Sequence, residues 1–95
     1  MALPEQDDSE SQHLIRAMIV LIRNTTWRCG KLERLIVRNL HKRKVSFGRP
    51  EMAVRDMIQN FSLSGKRRNE FLDAIKRLER RNIVRILTVQ AQRGC

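Results

Sequence analysis

The side chains that could do chemistry in this 95-residue chain are mostly cations. Fifteen Arg and five Lys stand against ten Asp and Glu, and the formal net charge is +10. Four of the ten acidic residues lie among the first ten positions, so the rest of the chain is more basic still. Such a surface attracts a polyanion. Arginine binds phosphate through two parallel hydrogen bonds, which lysine does not do, so this composition favours nucleic acid as the partner.

The cations cluster in two segments, residues 31–44 and residues 66–81. The predicted nucleic-acid-binding residues are Arg34, Arg38, Lys42, Arg43, Lys44, Lys66, Arg67, Asn69, Lys76, Arg77, Arg80 and Arg81. For any single charge, the plainer interpretation is a solvated helix face, with Asp73 and Arg77 as an i, i+4 pair. Trp27 also has two interpretations. It covers the core, which is favoured because indoles bury readily, or it stacks on a base.

Other chemistries find little support in the sequence. There is no glycine-rich phosphate loop, no Ser-His-Asp arrangement and no carboxylate pair in an apolar setting, so we predict no enzyme and no catalytic residue. The two cysteines and two histidines share no ligand spacing, whereas zinc needs about four convergent ligands. Neither a metal site nor a cofactor is therefore predicted.

The N-terminal part of the chain predicts a tail followed by an unusual helix. Residues 1–8 are expected to form a disordered acidic tail, and residues 9–95 a single domain. Residues 10–23 predict a helix that is apolar on all sides. A homodimer would cover it, through Ile15, Ile19, Val20 and Ile22. The alternative is that two other helices of the same chain clamp it within a monomer.

The whole pattern predicts a mainly α fold, with four helices and a short two-stranded β element. After the first helix, apolar residues at i, i+3 and i+4 predict helices over residues 31–42, 50–60 and 65–81. An alternating run at residues 45–47 and a β-branched run at residues 83–89 predict the two strands. About four residues join the last two helices, as in helix-turn-helix units.

Residues 71–86 resemble the recognition helix of winged-helix proteins running into the first wing strand. In that family a buried Leu near the helix end is followed by charged residues, a small turn residue and an apolar strand. The matching residues here are Leu78, then Glu79, Arg80 and Arg81, then Asn82, then Ile83 and Val84. The resemblance covers residues 31–89 and implies a DNA-binding domain. After residue 89 the chain is too short for a second wing strand, so a truncated wing is expected.

The mechanism that this resemblance implies places a helix in the major groove. Its first residues face base edges while flanking cations hold phosphates. Asn69 is then a candidate partner of adenine, and Lys66 or Arg67 of guanine.

The leading functional prediction is a small dimeric DNA-binding regulator inside the cell, in the cytoplasm or the nucleus, with no cofactor and no small-molecule substrate. One alternative is an RNA-binding helical dimer, such as a viral or ribosome-associated accessory protein. Another is an adaptor whose apolar first helix docks on a partner protein. No apolar stretch approaches the roughly 20 residues of a membrane span, and two cysteines without a disulfide framework fit a reducing compartment.

Overall fold

The computed structural model describes residues 13–88, so the predicted tail over residues 1–8 lies outside it. The elements in chain order are β1 (Met18–Leu21), α1 (Lys31–Phe47), β2 (Glu51–Ala53), α2 (Val54–Asn60), α3 (Gly65–Arg80) and β3 (Val84–Leu87). Residues 13–15 are also helical. The prediction of a mainly α fold is confirmed, but the β element has three strands instead of two.

The three strands form one antiparallel sheet in the order β2-β1-β3. β1 is the central strand, with Ile19 opposite Met52 on one side and Ile86 on the other. Hydrogen bonds continue past the strand ends, since the Val54 N–H donates to the Ala17 carbonyl at 3.0 Å. Because β1 pairs with β3, the partner of β3 comes from the N-terminal part of the chain and not from residues 45–47.

The predicted helix over residues 10–23 is wrong for residues 18–21, which form β1. A short, continuous apolar run fits a buried strand as well as a helix segment, and periodicity alone does not separate the two. Here the run pairs with a strand on each edge. Its alternate residues Ile19 and Leu21 are buried, Ile19 completely.

The apolar helix face on which the predicted homodimer was based is absent, because residues 18–21 form β1. Ile19 lies in the core of its own chain, and Ile15 packs against that core. Val20 is half-buried, and of the four predicted interface residues only Ile22 is exposed. Burial in the chain's own sheet explains why this segment is apolar. The homodimer stays a prediction, but the apolar helix no longer supports it.

Helix α1 continues through residues 45–47, where the sequence predicted a strand. It ends at Gly48, whose φ of 82° is left-handed and whose N–H donates to the Lys44 carbonyl. Glycine adopts this conformation at little cost, which makes it a common helix terminator. Glu51–Ala53 then pair with β1, and for that reason the helix predicted from residue 50 starts only at Val54.

The core lies between the sheet and the two long helices. α3 contributes Phe71, Ile75 and Leu78 with no exposed surface, and α1 contributes Ile36 and Leu40 in the same state. These α3 residues follow the i, i+4, i+7 spacing of one helix face. On α1, Val37 and the acidic Glu33 are also buried, whereas Leu35 is exposed.

Candidate nucleic-acid interface

Helix α1 presents one cationic face to solvent. Its buried residues lie on one side, so at about 100° per residue the opposite side carries four exposed cations. They are Lys31, Arg34, Arg38 and Lys42, here called the α1 stripe. The one acidic residue of α1, Glu33, is buried and points away from them. No carboxylate of α1 therefore reduces the positive potential of the stripe.

The length of the α1 stripe matches a nucleic-acid backbone. At about 1.5 Å per residue, Lys31 and Lys42 are roughly 16 Å apart along the helix axis. Phosphates of one DNA strand follow each other about every 3.4 Å of duplex axis, so this distance covers about five of them. Lys44, one of the predicted contacts, is exposed in the last turn of the same helix.

The predicted contacts at the start of α3 are exposed but stand among carboxylates. Lys66, Arg67 and Asn69 are exposed, and so are Glu70 and Asp73. A cleft of about 420 Å³ between α3 and the start of α1 is lined by residues of both signs. The outer face of α3 is therefore a weaker phosphate-binding surface than the α1 stripe.

Arg77 joins the two long helices. Its Nε donates to Glu33 Oε2 at 3.1 Å, and Glu33 Oε1 accepts the Gly30 N–H at 2.7 Å. Glu33, at position N3, thus accepts the N–H of the N-cap residue Gly30, which is the half of a capping box that a glycine N-cap allows. The ion-pair partner of Arg77 is Glu33 and not Asp73 one turn earlier, so Arg77 has a structural role that the sequence did not predict.

Replacing Arg77 with alanine is expected to destabilise the fold by about 1.5 kcal/mol, the lower end of the range for a hydrogen bond to a charged group. The lower end applies because the Arg77 side chain is 49% exposed and solvent screens the pair. In a domain of this size the melting temperature should fall by roughly 6–12 °C. Thermal unfolding followed by circular dichroism measures it.

Arg80→Ala is the matched control for this variant. Arg80 is exposed one turn later on α3 and forms no ion pair with residues 13–88. Its removal should change stability by about 0.5 kcal/mol or less. Equal melting temperatures for the two variants would show that the Glu33–Arg77 pair contributes nothing to the fold.

Arg81 fixes the loop between β1 and α1. Its Nη2 donates to the Trp27 carbonyl at 2.6 Å, and its Nη1 donates to the Arg28 carbonyl at 3.2 Å and to Cys29 Sγ at 3.5 Å. Its own carbonyl accepts a bond from Arg23 Nη2 at 2.9 Å. Both terminal nitrogens of the Arg81 guanidinium therefore donate within the protein, so fewer of its five N–H groups are available to a ligand.

Arg43 is also held within the protein. Its Nε donates to the Glu51 carbonyl at 3.1 Å, which ties the end of α1 to β2. Its guanidinium lies over the Phe47 ring, 5.2 Å from the centroid. Phe47 itself is 71% exposed, so an aromatic ring and a cation end the helix together.

An arginine-rich cleft of about 590 Å³ lies beside the loop that Arg81 fixes. Its lining residues are Trp27, Arg28, Glu33, Arg77, Arg80 and Arg81. Trp27 is 69% exposed, so the favoured interpretation that it covers the core is wrong. The Arg28 guanidinium lies over the indole, 4.6 Å from the ring centroid. The sequence signal that could have indicated this is that Trp27 lies outside every periodic apolar segment.

The structure thus divides the predicted contact residues among separate surfaces. Arg34, Arg38 and Lys42 share the α1 stripe, which also includes Lys31, a residue absent from the prediction. Arg77, Arg80 and Arg81 share the arginine-rich cleft, to which the unpredicted Arg28 belongs. Lys76 lines a different cleft with His13 and Glu79.

Within residues 13–88, no three His, Cys, Asp or Glu side chains come together as a metal ion would require. No helix in that part of the chain has both the length and the apolar character needed to cross a membrane. No protein-family model matches the chain, and neither does any curated protein or solved structure.

Proposed function

We propose that this protein is a non-catalytic nucleic-acid-binding protein that holds a phosphate backbone along the α1 stripe. The observation that carries the proposal is the segregation of charge on α1: four exposed cations on one side, and the helix's one carboxylate buried on the other. Half or more of the hydrogen bonds in protein–DNA complexes go to phosphate and sugar, and Arg and Lys are among the side chains that donate them. The arginine-rich cleft lies close to the start of the stripe and extends the positive surface.

Double-stranded DNA is the favoured ligand, bound by an intracellular regulator of the winged-helix type. From α1 to β3 the elements follow the order helix, strand, helix, helix, strand, and residues 61–64 join α2 to α3 as a short turn. In this proposal β3 takes the place of the first wing strand, and β1 pairs with it. In this form of the proposal α3 enters the major groove and the α1 stripe holds the flanking backbone.

RNA remains the alternative ligand, because an A-form backbone also presents phosphates to a cationic helix. The adaptor hypothesis depended on an apolar first helix, and residues 18–21 form β1 instead. A homodimer that pairs two copies on one operator stays part of the proposal. Sedimentation equilibrium measures it directly, since a mass near 11.2 kDa identifies a monomer.

Binding is expected to weaken steeply with salt. About 5–8 phosphate contacts give a slope of roughly −4 to −7 in a plot of log K against log salt concentration. Raising the salt from 50 to 200 mM should then lower the affinity by on the order of 10²–10⁴. Fluorescence anisotropy of labelled duplex DNA, duplex RNA and single-stranded DNA measures the slope for each ligand.

Two results of that titration would count against the proposal. One is a slope near zero, which would mean that phosphate contacts do not dominate. The other is the absence of binding to all three ligands at 50 mM salt, a condition chosen because exposed charges are weakly screened there. Tighter binding of duplex RNA than of duplex DNA would show that RNA, and not DNA, is the favoured ligand.

A further inference from the structure

We propose that Trp27 is a stacking platform for an unpaired base, so that the bound nucleic acid has a single-stranded segment at the loop between β1 and α1. This inference rests on the proposed function and names a ligand feature that the α1 stripe does not require. Phosphates attract the stripe whether a strand is paired or not, whereas an indole face can meet the face of a base only when that base is free.

The Trp27 side chain is exposed on a loop whose backbone is fixed. The Trp27 backbone carbonyl accepts the 2.6 Å hydrogen bond from Arg81, and the Trp27 backbone N–H donates to Thr25 Oγ1 at 3.3 Å. The loop is anchored further by Cys29, which is buried and whose N–H donates to the Thr26 carbonyl at 3.1 Å. A large aromatic ring presented on a rigid loop loses little conformational entropy when it binds.

The backbone at the next residue is in an unusual conformation. Arg28 has a φ of 59°, in the left-handed region that residues other than glycine rarely adopt. Such conformations carry a cost, persist only where the surroundings enforce them, and cluster at binding sites. Here the Arg28 carbonyl is held by Arg81, and the Arg28 guanidinium is over the indole.

The charges around Trp27 suit a nucleotide. The arginine-rich cleft brings four guanidinium groups together with one carboxylate, and that carboxylate, Glu33, already pairs with Arg77. Its volume of about 590 Å³ is within the range of roughly 300–1,000 Å³ for small-ligand sites. A base stacked on the indole would have its phosphate within the field of Arg28 and Arg80.

The cleft is placed where a strand on α1 would reach it. The arginine-rich cleft and the cleft between α1 and α3 share Glu33 and Arg77, and Lys31 lines the second of them. Lys31 is also the first residue of the α1 stripe. A strand that follows the stripe toward the start of α1 therefore continues to Trp27.

Intrinsic fluorescence tests the inference, because Trp27 is the only tryptophan and the chain has no tyrosine. A 12-nucleotide single strand and a blunt duplex of the same sequence are each titrated to saturation at 50 mM salt. Binding is followed separately by anisotropy of a labelled copy. We expect the single strand to quench most of the indole emission and the bound blunt duplex to leave most of it. Equal quenching by both, or none by the saturating single strand, would overturn the inference.

Substitutions give a second, independent measurement. Trp27→Ala should weaken single-strand binding by roughly 5- to 150-fold, the range that one stacked base contributes, and leave blunt-duplex binding within about twofold. Trp27→Phe keeps a smaller ring and should recover part of the loss. The matched control is Phe47→Ala, which removes an equally exposed ring with an arginine over it from the other end of α1, and no effect on either ligand is expected.

The outcomes separate this inference from the proposed function. If Trp27→Ala binds single strands as tightly as the unaltered protein, stacking is refuted while nucleic-acid binding stands. If Trp27→Ala and Phe47→Ala weaken single-strand binding equally, Trp27 has no special role. If the unaltered protein binds no labelled strand or duplex at 50 mM salt, the proposed function fails and the inference fails with it.

Discussion

Replacing Ile19 with glutamate is expected to unfold this protein. Ile19 has no exposed surface and lies in the central strand, between Met52 and Ile86. The substitution removes a buried aliphatic side chain and places a carboxylate among apolar side chains, which cannot solvate its charge. The expected loss exceeds about 4 kcal/mol, whereas a domain of this size has a total stability near the lower end of about 5–15 kcal/mol. Circular dichroism should show loss of the helical signal at 25 °C.

Ile22→Glu is the matched control for this experiment. Ile22 lies three residues further along and is 47% exposed, so the same substitution should leave the protein folded and lower its stability by about 1 kcal/mol or less. A folded, monomeric Ile19→Glu would contradict the sheet and would instead fit an apolar helix that pairs two chains. The two variants therefore separate the observed β1 from the helix that the sequence predicted.

Replacing Arg34, Arg38 and Lys42 together with alanine is expected to lower the affinity for nucleic acid by roughly 500-fold at 0.1 M salt. Each phosphate contact contributes about 0.9 to the salt slope. The slope of log K against log salt concentration should therefore become less steep by about 2.7. If both proteins bind equally at 1 M salt, this difference in slope gives the loss of affinity at 0.1 M salt. All three side chains are exposed, so the fold should be unaffected. Anisotropy titrations at several salt concentrations measure both quantities.

The control is a second triple variant with the same change in net charge. Arg16, Arg55 and Arg85 are exposed cations from the turn before β1, from α2 and from β3. Replacing them with alanine removes three positive charges without touching α1. We expect the salt slope to change by less than about 1 for this variant. Equal losses in the two triple variants would mean that net charge alone attracts the ligand and that the α1 stripe is not its contact surface.

The features that the sequence predicts well are those set by neighbouring residues. α3 was predicted over residues 65–81 and is observed over Gly65–Arg80, because its apolar residues repeat at i, i+3 and i+4 and its inward side chains need no distant partner to identify them. The concentration of cations on α1 and α3 is likewise visible in the sequence, since charge type and helical spacing together decide what shares a face.

The tertiary structure alone decided which of those cations are available to a ligand. Arg77 pairs with Glu33, 44 positions earlier, and Arg81 holds the Trp27 carbonyl, 54 positions earlier. Neither partner can be found from local spacing, because chain folding and not sequence distance brings them together. As a result Arg77 and Arg81 became structural residues, whereas Trp27 and Arg28 were left at the surface.

The sheet shows the same division most clearly. Residues 18–21 are all apolar, and for that reason the sequence alone predicts that this segment is buried. Whether they are buried as a helix or as a strand depends on Glu51–Ala53 on one side and Val84–Leu87 on the other, since a strand exists only when its backbone groups find partners. The sequence by itself therefore determined which residues are buried and which stay exposed to solvent. Pairing between distant segments decided the secondary structure in which the buried residues are held.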